Sequence, residues 1–508
     1  MTEPSLAGRS FTVSPSVGIP DEHETRSAKP RAITKAVIIA AGRGSRMEGA
    51  GVASSPKPLV RAGGLSLLER AILTMKKAGV AEFLIVIGYR GSEIRRWITA
   101  KNLPVSIEWI ENPEWQKQNG LSVLAAEGRV EGPFLLAMSD HLLSAETIRR
   151  LSHAPIAEGE VILVVDRDVH AVPDLEDATK VLVRGHHVAA IGKDLADYNA
   201  IDTGLFLCTP ALFATLRRCL VRDDCSLSDG IRKLATQKQV RILDSEGDFW
   251  LDVDTPEALR LGERLLLQRL TKPQDGFLAK RLNRPISLRL TKFLAETSVT
   301  PNQVTLGLLA VGIVAAAFFA QGDNLFVILG ALLFQVQSTL DGTDGELARL
   351  KFQESRLGGI LDVVCDGLVT AAGFFGMGLG VSSQSGQALY TWLGTTAAGG
   401  TLACTGLLFL LTRRSGSFSA SFRSFSPFTY SLATDDSSCA GFFRGLTRAL
   451  DSLARRDYTY LVLLLALVGH LAWFLWLASV GIIIYLLGLI ILFGASFVYK
   501  EKVEHVRL

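Results

Sequence analysis

The chain has 508 residues, 48% of them hydrophobic and 20% charged, with a formal net charge of +3. That length is too great for one ordinary core, and so small a net charge argues against a nucleic-acid binder. The six cysteines show no CxxC or Cys/His ligand spacing, which leaves reduced thiols and argues against a structural metal or a disulfide framework.

Residues 1–34 are rich in Ser, Pro, Glu and Thr, contain no apolar run of the secretory kind, and read as a disordered tail. From Lys35 the pattern becomes α/β. Short apolar strands are predicted at 36–40, 83–87, 134–138 and 161–165, with a helix over 67–78 and a closing helix over 256–272. Continuous apolar strands alternating with helices predict a mostly parallel, doubly wound, Rossmann-like sheet over residues 35–272. Ligands of such sheets bind beyond the carboxyl ends of the strands. Residues 273–300 carry Arg281, Arg284, Arg289 and Lys292 among Leu, Ile and Phe. This segment predicts an interfacial amphipathic helix with its cations toward lipid headgroups.

Residues 301–508 predict an all-α membrane domain. Apolar stretches near 304–320, 325–340, 359–384, 387–412, 459–477 and 480–499 give roughly six spans of the length a bilayer requires. Lys351 and Arg356 lie between the second and third spans, and Arg413, Arg414, Arg423, Arg444, Arg448, Arg455 and Arg456 between the fourth and fifth. The other loops are nearly uncharged. The positive-inside rule then predicts a multi-pass plasma-membrane protein with the soluble domain and both termini cytoplasmic.

Two motifs carry chemistry. The first, Ala40-Ala41-Gly42-Arg43-Gly44-Ser45-Arg46-Met47, follows a strand and precedes Pro56-Lys57-Pro58. Its glycines let backbone amides approach phosphates, and Arg46 and Lys57 can neutralise a triphosphate. The second is Asp341-Gly-Thr-Asp344-Gly345-Glu-Leu-Ala348-Arg349, followed by Gly358 and then Asp362 and Asp366. Asp341, Asp344 and Ala348 share a helical face, and Asp362 and Asp366 share another. Carboxylates beside apolar spans are costly unless paired or metal-bound. Four of them at one point call for hard cations such as Mg²⁺, Mn²⁺ or Ca²⁺.

The first motif resembles the sugar-phosphate-type nucleotidyltransferase family, and the resemblance extends over about residues 35–265. It implies attack of a substrate phosphate on the α-phosphorus of a nucleotide, with Lys57 and Arg46 catalytic. It also implies a metal held by Asp140 and Asp254, with Asp252 as a second choice and His141 as a local hydrogen-bonding residue. Asp177-Ala-Thr-Lys180, Asp202-Thr-Gly and Gln118-Asn119-Gly120-Leu-Ser122 are similar to the cytidylyltransferases that take inositol 1-phosphate. That likeness implies a CTP site formed by Ala41, Gly42, Gly44, Arg46, Lys57, Asn119, Gly120 and Ser122, with Lys180 and Asp202 at the phosphorylated alcohol. The second motif matches the CDP-alcohol phosphotransferase pattern DxxDGxxARx8Gx3Dx3D at every fixed position, and Pro301-Asn302 resembles the entry to that family's first span. It implies Mg²⁺, or Mn²⁺, held by Asp341, Asp344, Asp362 and Asp366. The resemblance further implies that Asp366 serves as general base, that Gly345, Ala348, Arg349 and Gly358 surround the CDP group, and that the chain forms a homodimer.

Together the halves resemble the bifunctional family that makes CDP-inositol and then joins it to a second inositol 1-phosphate. A different alcohol, or a lipid acceptor, is an alternative, since the composition shows no hyperthermophile signature. A non-catalytic membrane protein with a nucleotide-binding head is the alternative from another class.

Overall fold

The computed structural model describes residues 32–49, 55–169, 172, 174–221, 223–270, 279–415 and 457–506. Most of the predicted tail, residues 273–278 of the predicted linker, and Arg423, Arg444, Arg448, Arg455 and Arg456 lie outside them, as do the side chains of Arg413 and Arg414.

The strands of the soluble half are β1 (Lys35–Ala40), β2 (Arg61–Ala62), β3 (Leu65–Ser66), β4 (Glu82–Ile87), β5 (Ser106–Glu111), β6 (Phe134–Met138), β7 (His141–Leu143), β8 (Val161–Asp166), β9 (Lys180–Arg184), β10 (His187–Gly192), β11 (Ala200–Cys208), β12 (Val240–Asp244) and β13 (Trp250–Asp252). Nine form one sheet in the order β5-β4-β1-β6-β11-β8-β12-β10-β9. Val37 and Ile39 of β1 face one apolar layer, and Ala36, Ile38 and Ala40 the other. Burial on both faces is why the strand reads as an unbroken apolar run. Each fully buried Val or Ile contributes about 1.5–3 kcal/mol. The sheet is mixed rather than mostly parallel. β5, β4, β1 and β6 run parallel, but β11 is antiparallel to both β6 and β8. The predicted helices are Leu67–Lys77 and Pro256–Gln268.

The membrane half begins with a helix at Arg284–Ala295, followed by Pro301–Gln321, Asn324–Leu340, the short Thr343–Leu350, Arg356–Ser385, Leu389–Ser415, Tyr458–Leu467 and Leu471–Val506. Among the described residues, five helices are long and apolar enough to cross a membrane, and Tyr458–Leu467 is a shorter apolar helix. The break expected near Ser479 falls instead at Gly469 (φ 75°), and Ser479 lies inside the last helix. Gly376 and Gly380 set the third span, Arg356–Ser385, directly against the backbone carbonyls of Ala316 and Phe319, where a Cβ would collide. Such close approach is how membrane helices gain packing without a hydrophobic driving force.

Of the four cations assigned to lipid headgroups, Arg284 turns inward, and Lys292, though exposed, pairs with the soluble half. Arg284 pairs with the fully buried Glu346, and Lys292 lies 2.9 Å from Glu263 of the soluble half.

Candidate active sites

In the soluble half, the loop after β1 and the end of β6 converge. Gly44 has φ 70°, and a Cβ there would lie 2.5 Å from Lys57 Cβ, so glycine is what lets Lys57 pass beneath the loop. Lys57 is buried and donates to Asp140 Oδ2 at 2.5 Å and to Asp254 Oδ1. Arg46 reaches Asp254 at 3.1 Å and Asp177 at 2.8 Å. Register in the small β7–β13 ribbon places Asp252 opposite His141. One ligand atom each from Asp140, His141 and Asp252 fit within 4.8 Å of one another. That set could hold a divalent cation.

The charges tune one another. Burial opposes the Lys57 ammonium, but Asp140, Asp254 and Asp252 outweigh it and hold its pKa above the ordinary value. Burial also opposes the Asp140 carboxylate, yet Lys57 and His141 hold it well below the usual range. His141 is buried as well, and Asp252 and Asp140 still raise it to about 9. A cavity of about 480 Å³ opens on this cluster, with Arg46, Asn119, Asp177, Lys193, Asp202 and Asp254 among its lining.

In the membrane half, Asp341 ends the second span, Asn324–Leu340, and the chain restarts as Thr343–Leu350. The turn to the third span passes through Phe352, at φ 55°, a left-handed conformation that is uncommon for an aromatic residue. Ser355 then caps the third span by accepting from the Gly358 N–H at 3.0 Å. This geometry brings carboxylate oxygens of Asp341, Asp362 and Asp366 within 4.8 Å of one another. An oxygen-only set of this kind fits a hard divalent cation. Asp344 lies deeper, where its Oδ2 accepts from Thr305 Oγ1 at 2.5 Å. Arg349 bends back over Gly345, where a Cβ would meet its guanidinium at 3.2 Å. Beside Asp366 is a cavity of about 390 Å³ lined by Thr370, Thr401, Thr405, Tyr458 and mostly apolar side chains.

Comparison with known proteins joins the two centres. The MobA-like NTP transferase domain family matches residues 36–239, and the CDP-alcohol phosphatidyltransferase family matches residues 298–434. A bifunctional IPC transferase and DIPP synthase of Rubrobacter xylanophilus is 36% identical over 369 residues, covering 72% of this chain and 81% of that protein. The chain belongs to this family. A bifunctional IPC transferase and DIPP synthase of Archaeoglobus fulgidus is 35% identical over 366 residues, covering 72% of this chain and 70% of its own. The solved inositol-1-phosphate CTP transferase from T. maritima aligns with 46% of this chain and 95% of its own at 27% identity, with a TM-score of 0.42. As a member of the bifunctional family, the chain is a membrane enzyme with a nucleotidyltransferase domain and a CDP-alcohol phosphotransferase domain.

Within this bifunctional enzyme the expected site residues are not all gathered equally. Asn119 lines the soluble cavity but also accepts from the Leu227 N–H at 2.9 Å. Gly120 packs against the Cys225 carbonyl, and Ser122 is buried, accepting from Asn112 at 2.9 Å. Gly42 faces open space, where a Cβ would meet nothing. Lys180 donates to the Lys193 carbonyl at 2.8 Å and lies over the Tyr198 ring, while Lys193 itself lines the cavity. The sequence motifs assign no role to Asp177 or Lys193, although Asp177 stands three residues before Lys180. Nor do they single out Glu346. It occupies a variable position of the motif, is 0% exposed, and accepts from Arg284, from Ser287 Oγ at 2.9 Å and from Thr291 Oγ1 at 2.6 Å.

Proposed function

We propose that the chain converts CTP and inositol 1-phosphate to CDP-inositol and diphosphate. It then transfers phosphoinositol to a second inositol 1-phosphate with release of CMP. One observation supports this most: a cation-bridged carboxylate pair and a separate membrane carboxylate triad stand on one chain. The first set suits nucleotidyl transfer, and the second suits attack by an alcohol on a diphosphate.

In the first step a phosphate oxygen of inositol 1-phosphate bonds to the α-phosphorus of CTP, and the bond to the β-phosphate breaks. Lys57 and Arg46 are placed to offset charge on the departing diphosphate. In the second step the acceptor hydroxyl bonds to the inositol-bearing phosphorus of CDP-inositol, and CMP leaves. Asp366 takes the hydroxyl proton, and Arg349 and the small residues Gly345, Ala348 and Gly358 accommodate the CDP group. Mg²⁺, or Mn²⁺, held by Asp140 with Asp254 or Asp252 and by the membrane aspartates, supplies Lewis-acid stabilisation when bound. We assign the soluble domain and both termini to the cytosol, where CTP is available, and the membrane domain to a homodimer.

The test is turnover of CTP with inositol 1-phosphate by detergent-purified protein in Mg²⁺, following diphosphate and CMP. Wild type should release both. Asp140→Ala should release neither, and Asp366→Ala should release diphosphate while losing CMP release by at least about 100-fold. Absence of both products from wild type with any phosphorylated alcohol would sink the reading.

A second reading, a lipid alcohol as final acceptor, is favoured by one feature. The cavity beside Asp366 includes Leu461 and Leu477, both exposed on the outer face of the bundle. CMP release that needs added lipid rather than inositol 1-phosphate would select it.

A further inference from the structure

Between the two halves lies a third concavity, of about 230 Å³. The soluble half supplies Arg70 and Lys77 from the helix Leu67–Lys77, and Arg269 from just after Pro256–Gln268. The membrane half supplies Arg349 and Phe352. None of the lining residues is an Asp or a Glu.

Four cations therefore face a space with no carboxylate in its wall. Three of them are guanidiniums with no ion pair among the described residues. Arg70 is 4% exposed and donates only to the carbonyls of Ala62 and Gly63, with its guanidinium 5.8 Å from the Phe352 ring centre. Arg269 lies 5.0 Å from the Phe249 ring centre, and Arg349 donates to the Leu270 carbonyl at 3.2 Å. Lys77 has the one acidic partner, Glu354, at 2.8 Å across the interface. Burial lowers Arg70 to about 10, with Glu69 and Glu263 acting the other way. Arg70 is the buried one of the four, Lys77 and Arg269 being exposed, and a buried cation normally comes with an anion, because an unpaired buried charge is costly.

We infer that this interdomain cavity binds a diphosphate group. Guanidiniums are the preferred partners of phosphoryl oxygens, to which they present paired N–H donors. The volume falls below the roughly 300–1,000 Å³ of pockets that enclose a whole ligand. It suits a diphosphate whose attached groups project out of it. The position adds to the argument, because the wall includes His141 of the nucleotidyl-transfer centre and Arg349 of the membrane motif. The diphosphate has two sources: the inorganic product of the first step, or the bridge of a CDP-alcohol passing between centres. The choice of sources rests on the proposed function, whereas the binding itself does not.

The experiment measures thermal stabilisation of the full chain in detergent and EDTA by pyrophosphate and, separately, by CDP-inositol. Lys77→Gln/Arg269→Gln is compared with wild type. We expect the apparent Kd of at least one probe to rise about tenfold or more. An effect on CDP-inositol identifies the passing intermediate, and an effect confined to pyrophosphate identifies the product. A second measurement needs no variant: saturating pyrophosphate should protect Lys77 of wild type from amine acylation, with Lys101 as an exposed control. Unchanged affinity for both probes, or undiminished acylation of Lys77, would overturn the inference. Neither readout uses turnover, so its failure would leave the two-step reading standing.

Discussion

Asp202 sits in the wall of the soluble cavity with its carboxyl raised by burial to about 6, even though the Gly204 N–H, at 2.7 Å, favours the charged form. A carboxyl raised in the folded state makes folding less favourable as it ionises. The penalty is absent below the ordinary value of 3.8, grows between there and about 6, and is complete above. Asn at this position keeps an acceptor for the Gly204 N–H and removes the charge. Asp202→Asn should therefore stabilise the protein by about 1–3 kcal/mol at pH 7.5, with the difference vanishing toward pH 4. Thermal unfolding of both forms across that range checks it, and an unchanged midpoint at pH 7.5 would refute it. If the carboxylate receives the alcohol, the same variant should lose diphosphate release, a trade of activity for stability. The glycine loop, Lys57 and the two aspartates on it were legible because fixed spacing accompanies a chemical need. The lysine facing the cavity was not. Lys180 and Gly192 are paired across the β9–β10 hairpin, which places Lys193 one residue beyond. The two lysines look alike in sequence, and only the fold shows that Lys193 lines the cavity while Lys180 donates to its carbonyl.

The sequence predicts an interfacial amphipathic helix over 273–300, and the exposed Ile286 and Phe293 of Arg284–Ala295 suit that reading. Its other face holds the metal-motif helix through Arg284, Ser287 and Thr291, all on Glu346. Gly342 belongs to the same arrangement, since a Cβ there would lie 2.8 Å from the Arg284 guanidinium. Breaking one side of a buried ion pair costs about 3–5 kcal/mol, whereas replacing both sides with apolar groups is often tolerated. The double variant Arg284→Met/Glu346→Leu should consequently fold. It should need about tenfold more Mg²⁺ for half-maximal CMP release, while diphosphate release is unchanged. If Glu346 only supports folding, the metal requirement will not move, and that result would reject a positioning role. Periodicity made four strands of the main sheet (β1, β4, β6 and β8) and most spans legible, but not the remaining strands, their direction or every break. A strand buried on both faces is equally apolar whichever way it runs, so the apolar runs of β6 and β8 gave no sign of the antiparallel β11 between them. Ser479 looked like a loop residue, yet its hydroxyl donates to the Leu475 carbonyl at 2.8 Å inside the helix. The true break needed the positive φ of Gly469.

The two halves meet through a built interface. Gly64, at φ 84°, lies against the Ala295 carbonyl at the end of the juxtamembrane helix, and its N–H donates to Glu296 at 3.0 Å. Arg61 approaches the same carboxylate at 3.4 Å, and Leu270, Ala295, Leu347 and Leu350 form an apolar cluster beneath. The helix that positions the membrane motif is thus also the one on which the soluble domain rests. No composition or motif signals such docking, because its residues come from short turns and its decisive member is a glycine. A Cβ at Gly64 meets backbone rather than a flexible side chain, and the left-handed φ adds roughly 1–2 kcal/mol of strain for any other residue. Gly64→Ala should therefore loosen the contact without entering either active site. The expected result is unchanged diphosphate release, CMP release from supplied CDP-inositol reduced about three- to tenfold, and faster amide exchange along Arg284–Ala295. Faster exchange with full CMP release would show that the halves share a surface but not a function. Slower CMP release together with faster exchange would make the soluble domain a working part of the transferase, because its resting place is the strut that holds Glu346.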